Sequence, residues 1–266
     1  MAKIEIYNED CFVTMTKRLG GGGVNLILTS PPYNTGKRGT KASSRKNHDA
    51  RYDIHLDVMT SEKYRDWCVK LFNTFDTILS ENGLVLWQVS YGTNVSGNSE
   101  SIGLMWNVLS DVIDETDFTI ADRIVWKKSS AIPNNTSSNK LTRITEDVYV
   151  FCRKSEYKTF HANKGLVSVN ERTGQKFYNN IFNFIEARNN DGSNPYNKAT
   201  YSTELCEKLL AIYAQKDTVV YDPFMGTGTT ANACKNMGLD CYGSEISKNQ
   251  VNYANERLGI SKRPLI

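Results

Sequence analysis

From Thr218 to Leu258 the chain carries a strand, a glycine turn, a helix, a second strand and an acid, in an order that admits few folds. Thr218-Val-Val-Tyr221 has the β-branched, apolar character of a buried strand, and Asp222-Pro-Phe-Met-Gly-Thr-Gly-Thr-Thr230 follows it directly. Thr229 to Met237 has helical spacing, Asp240-Cys-Tyr-Gly243 reads as the next strand, and Glu245 stands at its end. Gly226 and Gly228 allow a tight turn and let a ligand approach the backbone. An acid about twenty residues beyond such a turn is placed to bind both hydroxyls of a ribose. A pyrophosphate-binding dinucleotide fold carries a third glycine at the helix start. Thr229 and Thr230 stand there instead, which favours a nucleoside ligand.

The rest of the chain continues this alternation, the pattern of helices packed on a mostly parallel sheet. Ile4–Tyr7 and Val24–Thr29 read as strands. Ser61–Leu79 has helical spacing through Tyr64, Trp67, Cys68, Leu71, Phe72 and Phe75, and Glu81-Asn82-Gly83 is expected to end that helix before a strand at Leu84–Trp87. A Gly/Ser/Asn-rich loop at Ser90–Ser99, a helix over Ile102–Ile113, and strands at Ile120–Trp126 and Asp147–Cys152 come next, with a polar segment, Ser129–Lys140, between the strands. Further helices are expected at Thr203–Ala214 and Lys248–Leu258. The alternation fails between Ser155 and Tyr196, where Asn, Arg and Lys interleave with Phe160, Phe177, Tyr178, Phe182 and Phe184. The expected fold class is α/β: a Rossmann-like, mostly parallel twisted sheet with helices on both faces, built from residues 1–154 and 197–266 and interrupted by a small insertion at 155–196. With 266 residues there is no room for a second full domain.

Thr29-Ser-Pro-Pro-Tyr-Asn34 also follows a strand. Pro31 and Pro32 hold the backbone rigid and leave carbonyls unpaired, because neither can donate to a ladder. Such a segment can aim Ser30 Oγ and the Pro31 carbonyl at an amino group while Tyr33 stacks on an aromatic base. Taken alone, a plain Pro-Pro turn accounts for it as well. Both segments, however, fall at the carboxyl ends of strands beside the point where strand order reverses, where open α/β sheets bind their ligands, so that one pocket can hold both.

A net charge of +3 does not by itself mark a nucleic-acid binder. Its distribution is more telling, with Lys37, Arg38, Lys41, Arg45, Lys46 and Arg51 set against the single acid Asp49. The six cysteines lie far apart without a CxxC pair, which argues for free thiols and against a disulfide framework or a metal site. No apolar run approaches the roughly 18 residues of a membrane helix, and the amino-terminal residues lack a signal-peptide stretch, so a cytoplasmic protein without membrane contact is expected.

Thr29 to Asn34 followed far downstream by Asp222 to Thr230 resembles the amino-methylating DNA methyltransferases of the beta arrangement, in which the catalytic motif precedes the cofactor motif. The resemblance spans nearly the whole chain. It implies S-adenosylmethionine as cofactor, with Ser30, Pro31, Pro32 and Tyr33 as catalytic residues. Asp10 matches the family's acid at the cofactor's adenine, Glu245 its ribose clamp and Phe224 its flanking aromatic. Thr29, Asp222, Pro223, Gly226, Gly228 and Thr229 fall on the same cofactor wall. Ile124–Lys127 and Glu146–Phe151 resemble motifs near the target base. Asn197–Ser202 stands where the family often has a His-Pro-Ala-Thr-Phe-Pro type of segment; Ala199 and Thr200 fit it, whereas Lys198, Tyr201 and Ser202 depart.

The resemblance also assigns residues 155–196 to target recognition, with Arg172, Lys176 and Arg188 placed for phosphates together with the basic run at 37–51. It implies a site-specific enzyme that flips a base of double-stranded DNA and methylates cytosine N4, the Ser at the head of the motif leaning toward cytosine. Adenine N6 is the alternative; a catalytically silent DNA-binding regulator or an RNA methyltransferase is a more distant one. A separately acting cognate restriction endonuclease and a homodimer are the partners such enzymes suggest. Carbon-5 methylation is disfavoured, since none of the cysteines follows a proline.

Overall fold

The computed structural model describes residues 2–34, 59–89 and 100–260, apart from residues 132, 134, 136, 137, 140, 193, 195, 198 and 199. In chain order the elements are β1 (Ile4–Tyr7), α1 (Cys11–Lys17), β2 (Val24–Thr29), α2 (Ser61–Ile78), β3 (Leu79–Val89), α3 (Glu100–Glu115), β4 (Phe118–Lys128) and β5 (Thr145–Arg153). They continue with β6 (Leu166–Val169), β7 (Lys176–Tyr178), β8 (Phe184–Ala187), α4 (Thr203–Tyr213), β9 (Val219–Asp222), α5 (Thr229–Met237), β10 (Asp240–Ser244) and α6 (Lys248–Leu258).

Eight strands form one sheet in the order β1-β10-β9-β2-β3-β5-β4-β8. All neighbours are parallel except at β5, which runs against both β3 and β4. Strand β2 is the centre from which the chain departs both ways, to β3 on one side and, later, to β9 and β10 on the other. Its sequence, Val24-Asn-Leu-Ile-Leu-Thr29, is apolar almost throughout because both faces are covered. Leu26 and Leu28 pack toward α4 and α5, whereas Val24 and Ile27 pack toward α1, α2 and α3.

Two local expectations change. Glu81-Asn82-Gly83 does not terminate α2; that helix ends at Ile78 and the chain enters β3 at once, with Leu79 paired to Val24. The three residues form a bulge inside β3, where Asn82 takes a φ of 56° and the register jumps between Val24↔Leu79 and Leu26↔Leu84. A side chain supplies the missing helix stop: Arg153 donates to the carbonyls of Asp76, Leu79 and Ser80 and pairs with the Asp76 carboxylate, satisfying groups that a glycine cap would otherwise serve. Helix α1, which the pattern did not announce, is started by Asp10, whose carboxylate accepts from Phe12 N at 2.8 Å.

Within residues 155–196, β6 and β7 form a separate antiparallel hairpin, while β8 joins the main sheet beside β4. The Ser90–Ser99 loop lies outside the described residues.

Candidate active site

The carboxyl ends of β2 and β9 meet at the reversal of strand order, and a buried hydrogen bond joins the two motifs there. Thr29 Oγ1 donates to Asp222 Oδ1 at 2.7 Å, across 193 residues of chain. The same carboxylate accepts from Phe224 N at 3.0 Å and from Thr230 Oγ1 at 2.6 Å. The Tyr201 hydroxyl completes the cluster, 2.5 Å from Thr230 Oγ1 and 3.3 Å from Asp222 Oδ2. Burial raises the Asp222 carboxyl above its ordinary value, opposed by these hydrogen bonds. Asp222 ties the two segments together, and it also lies in the wall of the cleft between them. Tyr201, a departure from the family pattern, thus has a structural use, and Ser202 caps α4 through Leu205 N.

Between these strand ends opens a cleft whose walls include Asp10, Ser30, Pro32, Thr200, Pro223 and Phe224, with Gly226, Thr229 and Glu245 at its far end. Glu245 Oε2 accepts from Gly226 N at 2.9 Å and Oε1 from Ser247 N at 2.8 Å. These two bonds fix the direction of the carboxylate in the cleft wall, where the resemblance expects a clamp on two adjacent ribose hydroxyls. Gly226 makes this possible with a φ of 54°. Gly228 serves packing: a Cβ there would lie 2.9 Å from Cβ of Ala254 on α6. Replacing Glu245 by Gln keeps one oxygen acceptor and exchanges the other for an NH2 donor that faces the N–H of either Gly226 or Ser247. Cofactor affinity measured calorimetrically should then fall about 10- to 100-fold, since hydrogen bonds to a charged acceptor contribute about 1.5–3 kcal/mol. An unchanged Kd would remove Glu245 from the ribose site.

The other end of the cleft is built on a line of hydrogen bonds. Ser30 Oγ lies 2.5 Å from the Tyr33 hydroxyl, which donates to Gln88 Oε1. Gln88 Nε2 donates to Glu146 Oε2 at 2.8 Å, and Glu146 Oε1 accepts from Lys128 Nζ at 2.5 Å. Pro31 is buried, and the Pro32 carbonyl accepts from Tyr64 OH at 2.7 Å. Asn34 closes the motif with two bonds to the Met59 backbone, at 2.9 and 2.8 Å.

Pattern reading missed Trp67 and Gln88. Trp67 lies in the cleft wall with its ring 5.5 Å from Phe224, yet its helical spacing beside Tyr64 gave only a core signal. Gln88, only 2% exposed, follows Trp87 at the end of β3; a polar residue at the carboxyl end of a central strand was the available clue.

Of the predicted DNA contacts, Lys37, Arg38, Lys41, Arg45, Lys46 and Arg51 lie outside the described residues, as does Ala199, expected at the cofactor. Arg172 and Lys176 are exposed on the hairpin formed by β6 and β7. Arg188 follows β8 and pairs with Glu204 at 3.3 Å. All six cysteines are free and buried; burial pushes the Cys11 thiol up to about 12, which suits core packing rather than nucleophilic attack.

The strand order, with the glycine turn at the reversal point, is that of an S-adenosylmethionine-dependent methyltransferase. The pattern of the DNA methylases that modify adenine N6 or cytosine N4 matches residues 24–256, and the chain belongs to that family. Among relatives, the type II methyltransferase M.BglII of Bacillus subtilis is 26% identical over 265 residues, covering 94% of this chain and 67% of its own. The orphan methyltransferase M.BamHII of Bacillus amyloliquefaciens is 23% identical, covering 92% of each chain. The fold is similar to that of the PvuII cytosine-N4-specific DNA methyltransferase, with a TM-score of 0.68 at 16% identity over 100% of this chain and 89% of that one. It is also similar to the M1.HpyAVI-SAM complex, with a TM-score of 0.58 at 20% identity over 97% and 100%. The chain is accordingly an S-adenosylmethionine-dependent amino-methyltransferase of DNA. Among the described residues no helix is long and apolar enough to cross a membrane.

Proposed function

We propose that this enzyme methylates the N4 amino group of cytosine in duplex DNA, as the modification activity of a restriction-modification system. The observation that carries the reading is Ser30 at the cleft wall, its hydroxyl held by Tyr33, where the adenine enzymes of the resemblance have Asp or Asn. An amide or carboxylate has a longer reach than a serine hydroxyl, so the shorter side chain suits a differently placed amino group. The type II names of several relatives, M.BglII among them, fit a modification role.

A paired base is out of reach, so the target is extruded into the cleft, at a cost of a few kcal/mol. Residues 155–196 supply a surface for the surrounding duplex. Arg172 and Lys176 suit phosphates, and Phe177, Tyr178 and Phe182 are large side chains left exposed beside them. Ser30 Oγ and the Pro31 carbonyl accept from the amino group and bias its nitrogen toward a tetrahedral geometry with a directed lone pair. S-adenosylmethionine, when bound, would supply an electrophilic methyl group whose C–S electron pair would stay with sulfur, and the methylated nitrogen's surplus proton would pass to solvent. Positioning and charge complementarity suffice, because the sulfonium is already a good leaving centre.

The test is incubation with unmethylated DNA and S-adenosylmethionine, digestion to nucleosides and mass spectrometry. N4-methylcytosine is expected. N6-methyladenine would keep the mechanism and overturn the base assignment, and absence of both across diverse DNA, with methylated RNA or none, would overturn the DNA-modifying role.

A further inference from the structure

The hydrogen bonds behind Ser30 have a direction that their chemistry imposes. Glu146 pairs with the Lys128 ammonium at 2.5 Å, and as a carboxylate it only accepts. The Gln88 group facing it must be the amide NH2, which turns Gln88 Oε1 toward Tyr33. An amide oxygen only accepts, so the Tyr33 hydroxyl spends its single proton there. The Tyr33 oxygen then receives the Ser30 proton. Each link leaves one choice for the next, and the last leaves Ser30 Oγ with its proton turned away from the cleft and its lone pairs available to it.

We infer that Gln88 and Glu146 are positioning residues that orient the Ser30 hydroxyl as an obligate hydrogen-bond acceptor for the substrate's amino group. Without them the Tyr33 hydroxyl is no longer committed to Gln88 and can donate to Ser30 instead, which turns the serine proton toward a group that must itself give one. Both residues sit on strands, β3 and β5, and are held tightly: Gln88 is 2% exposed and the Glu146 side chain 14%. Neither touches the reacting atoms. Placing a buried glutamine and a part-buried ion pair beside a catalytic motif is costly unless their polar groups are satisfied, and here the bonds that satisfy Gln88 run on through Tyr33 to Ser30.

The inference rests on the reading of Ser30 as the amino-group contact, and pH separates the two. In Gln88→Glu two carboxyls face one another, with Tyr33 and Lys128 the other titratable groups bonded into the line. When protonated, the introduced carboxyl reproduces the glutamine, donating to Glu146 and accepting from Tyr33. When ionised, it is repelled by Glu146, and a pair sharing one proton holds it above the ordinary carboxyl range. Single-turnover rates of the variant should therefore approach wild type at the acid end of a pH 5.5–9 series and fall about tenfold per pH unit beyond the shared-proton titration, while wild type lacks that limb.

In a Tyr33→Phe background the line is cut, and adding Gln88→Glu should contribute no such limb. Glu146→Gln is the companion variant. Its oxygen turns to Lys128 and its NH2 to Gln88, reversing every link and presenting the Ser30 proton to the cleft; kcat should drop about 10- to 100-fold with KM for DNA little changed. A Gln88→Glu profile parallel to wild type, or an acid-dependent limb that survives Tyr33→Phe, overturns the inference. So does failure of both Gln88→Glu and Glu146→Gln to bind S-adenosylmethionine, which would make the line part of the fold alone. A fully active Ser30→Ala enzyme would instead overturn the underlying reading of Ser30.

Discussion

Asp222→Ala should destabilise the protein by about 3–5 kcal/mol, whereas Asp222→Asn should stay within about 1 kcal/mol of wild type. Alanine leaves Phe224 N and the hydroxyls of Thr29 and Thr230 without an acceptor in a buried site, with Tyr201 beside them. Each such group costs about 1–3 kcal/mol, and only the Tyr201 and Thr230 hydroxyls can re-pair with one another. Asparagine can keep its oxygen toward Thr29 and Phe224 and present NH2 to two hydroxyls that are free to turn and accept. Urea unfolding of the three proteins measures the difference. Equal losses for the two variants would show that charge, rather than acceptor geometry, holds the cluster. Activity should fall with the alanine variant even where it remains folded, because Thr29 precedes Ser30 and a shift of about 1 Å at a reacting group costs about 100-fold.

The same pair reports the electrostatics. Burial raises the folded-state affinity of Asp222 for its proton above the ordinary value of 3.8. Its contribution to stability is therefore greatest below 3.8, where the group is protonated in both states, and declines as pH rises from there to the raised value. Wild type minus Asp222→Asn, followed through that acid window, should fall with pH and then level off. A difference that rises instead would mean that the hydrogen bonds outweigh burial.

Such a cluster explains why some of the site was legible before the structure and some was not. The glycine turn, Glu245 and the strand–helix limits of α5 and α6 follow from local rules of spacing and backbone conformation, and they fall where the pattern put them. The Thr29–Asp222 link joins residues 193 positions apart, and no local rule selects one acceptor over another at that range. The misplaced end of α2 has the same origin. Asn82-Gly83 is a good local stop, but Arg153, 74 residues away from Leu79, caps the helix earlier and leaves the Asn-Gly pair free to bulge a strand. Trp67 was hidden differently, since an aromatic residue in a helical stripe has the same signature whether it meets the core or a ligand. Helix α1, Cys11–Lys17, spans only about two turns, too short for a helical period to stand out from its surroundings.

Ser30→Ala isolates the chemical step, and its expected result is a loss of about 100- to 1000-fold in kcat with cofactor affinity changed less than about twofold. The serine hydroxyl is bonded to Tyr33 within the protein, and Tyr33 keeps its bond to Gln88 when Oγ is removed, so the truncation leaves the line behind it intact. Glu245, Gly226 and Ser247, at the opposite end of the cleft, are untouched. What is lost is an acceptor whose bond to the amino group strengthens as nitrogen moves from planar to tetrahedral. Such an interaction is worth more in the transition state than in the ground state and therefore appears in kcat rather than in KM. Rapid-quench single turnovers with labelled cofactor distinguish the outcomes. A rate within about threefold of wild type would transfer the role to the Pro31 carbonyl alone. A matching rise in KM for DNA without a change in kcat would make Ser30 a contact that holds the flipped base without activating it.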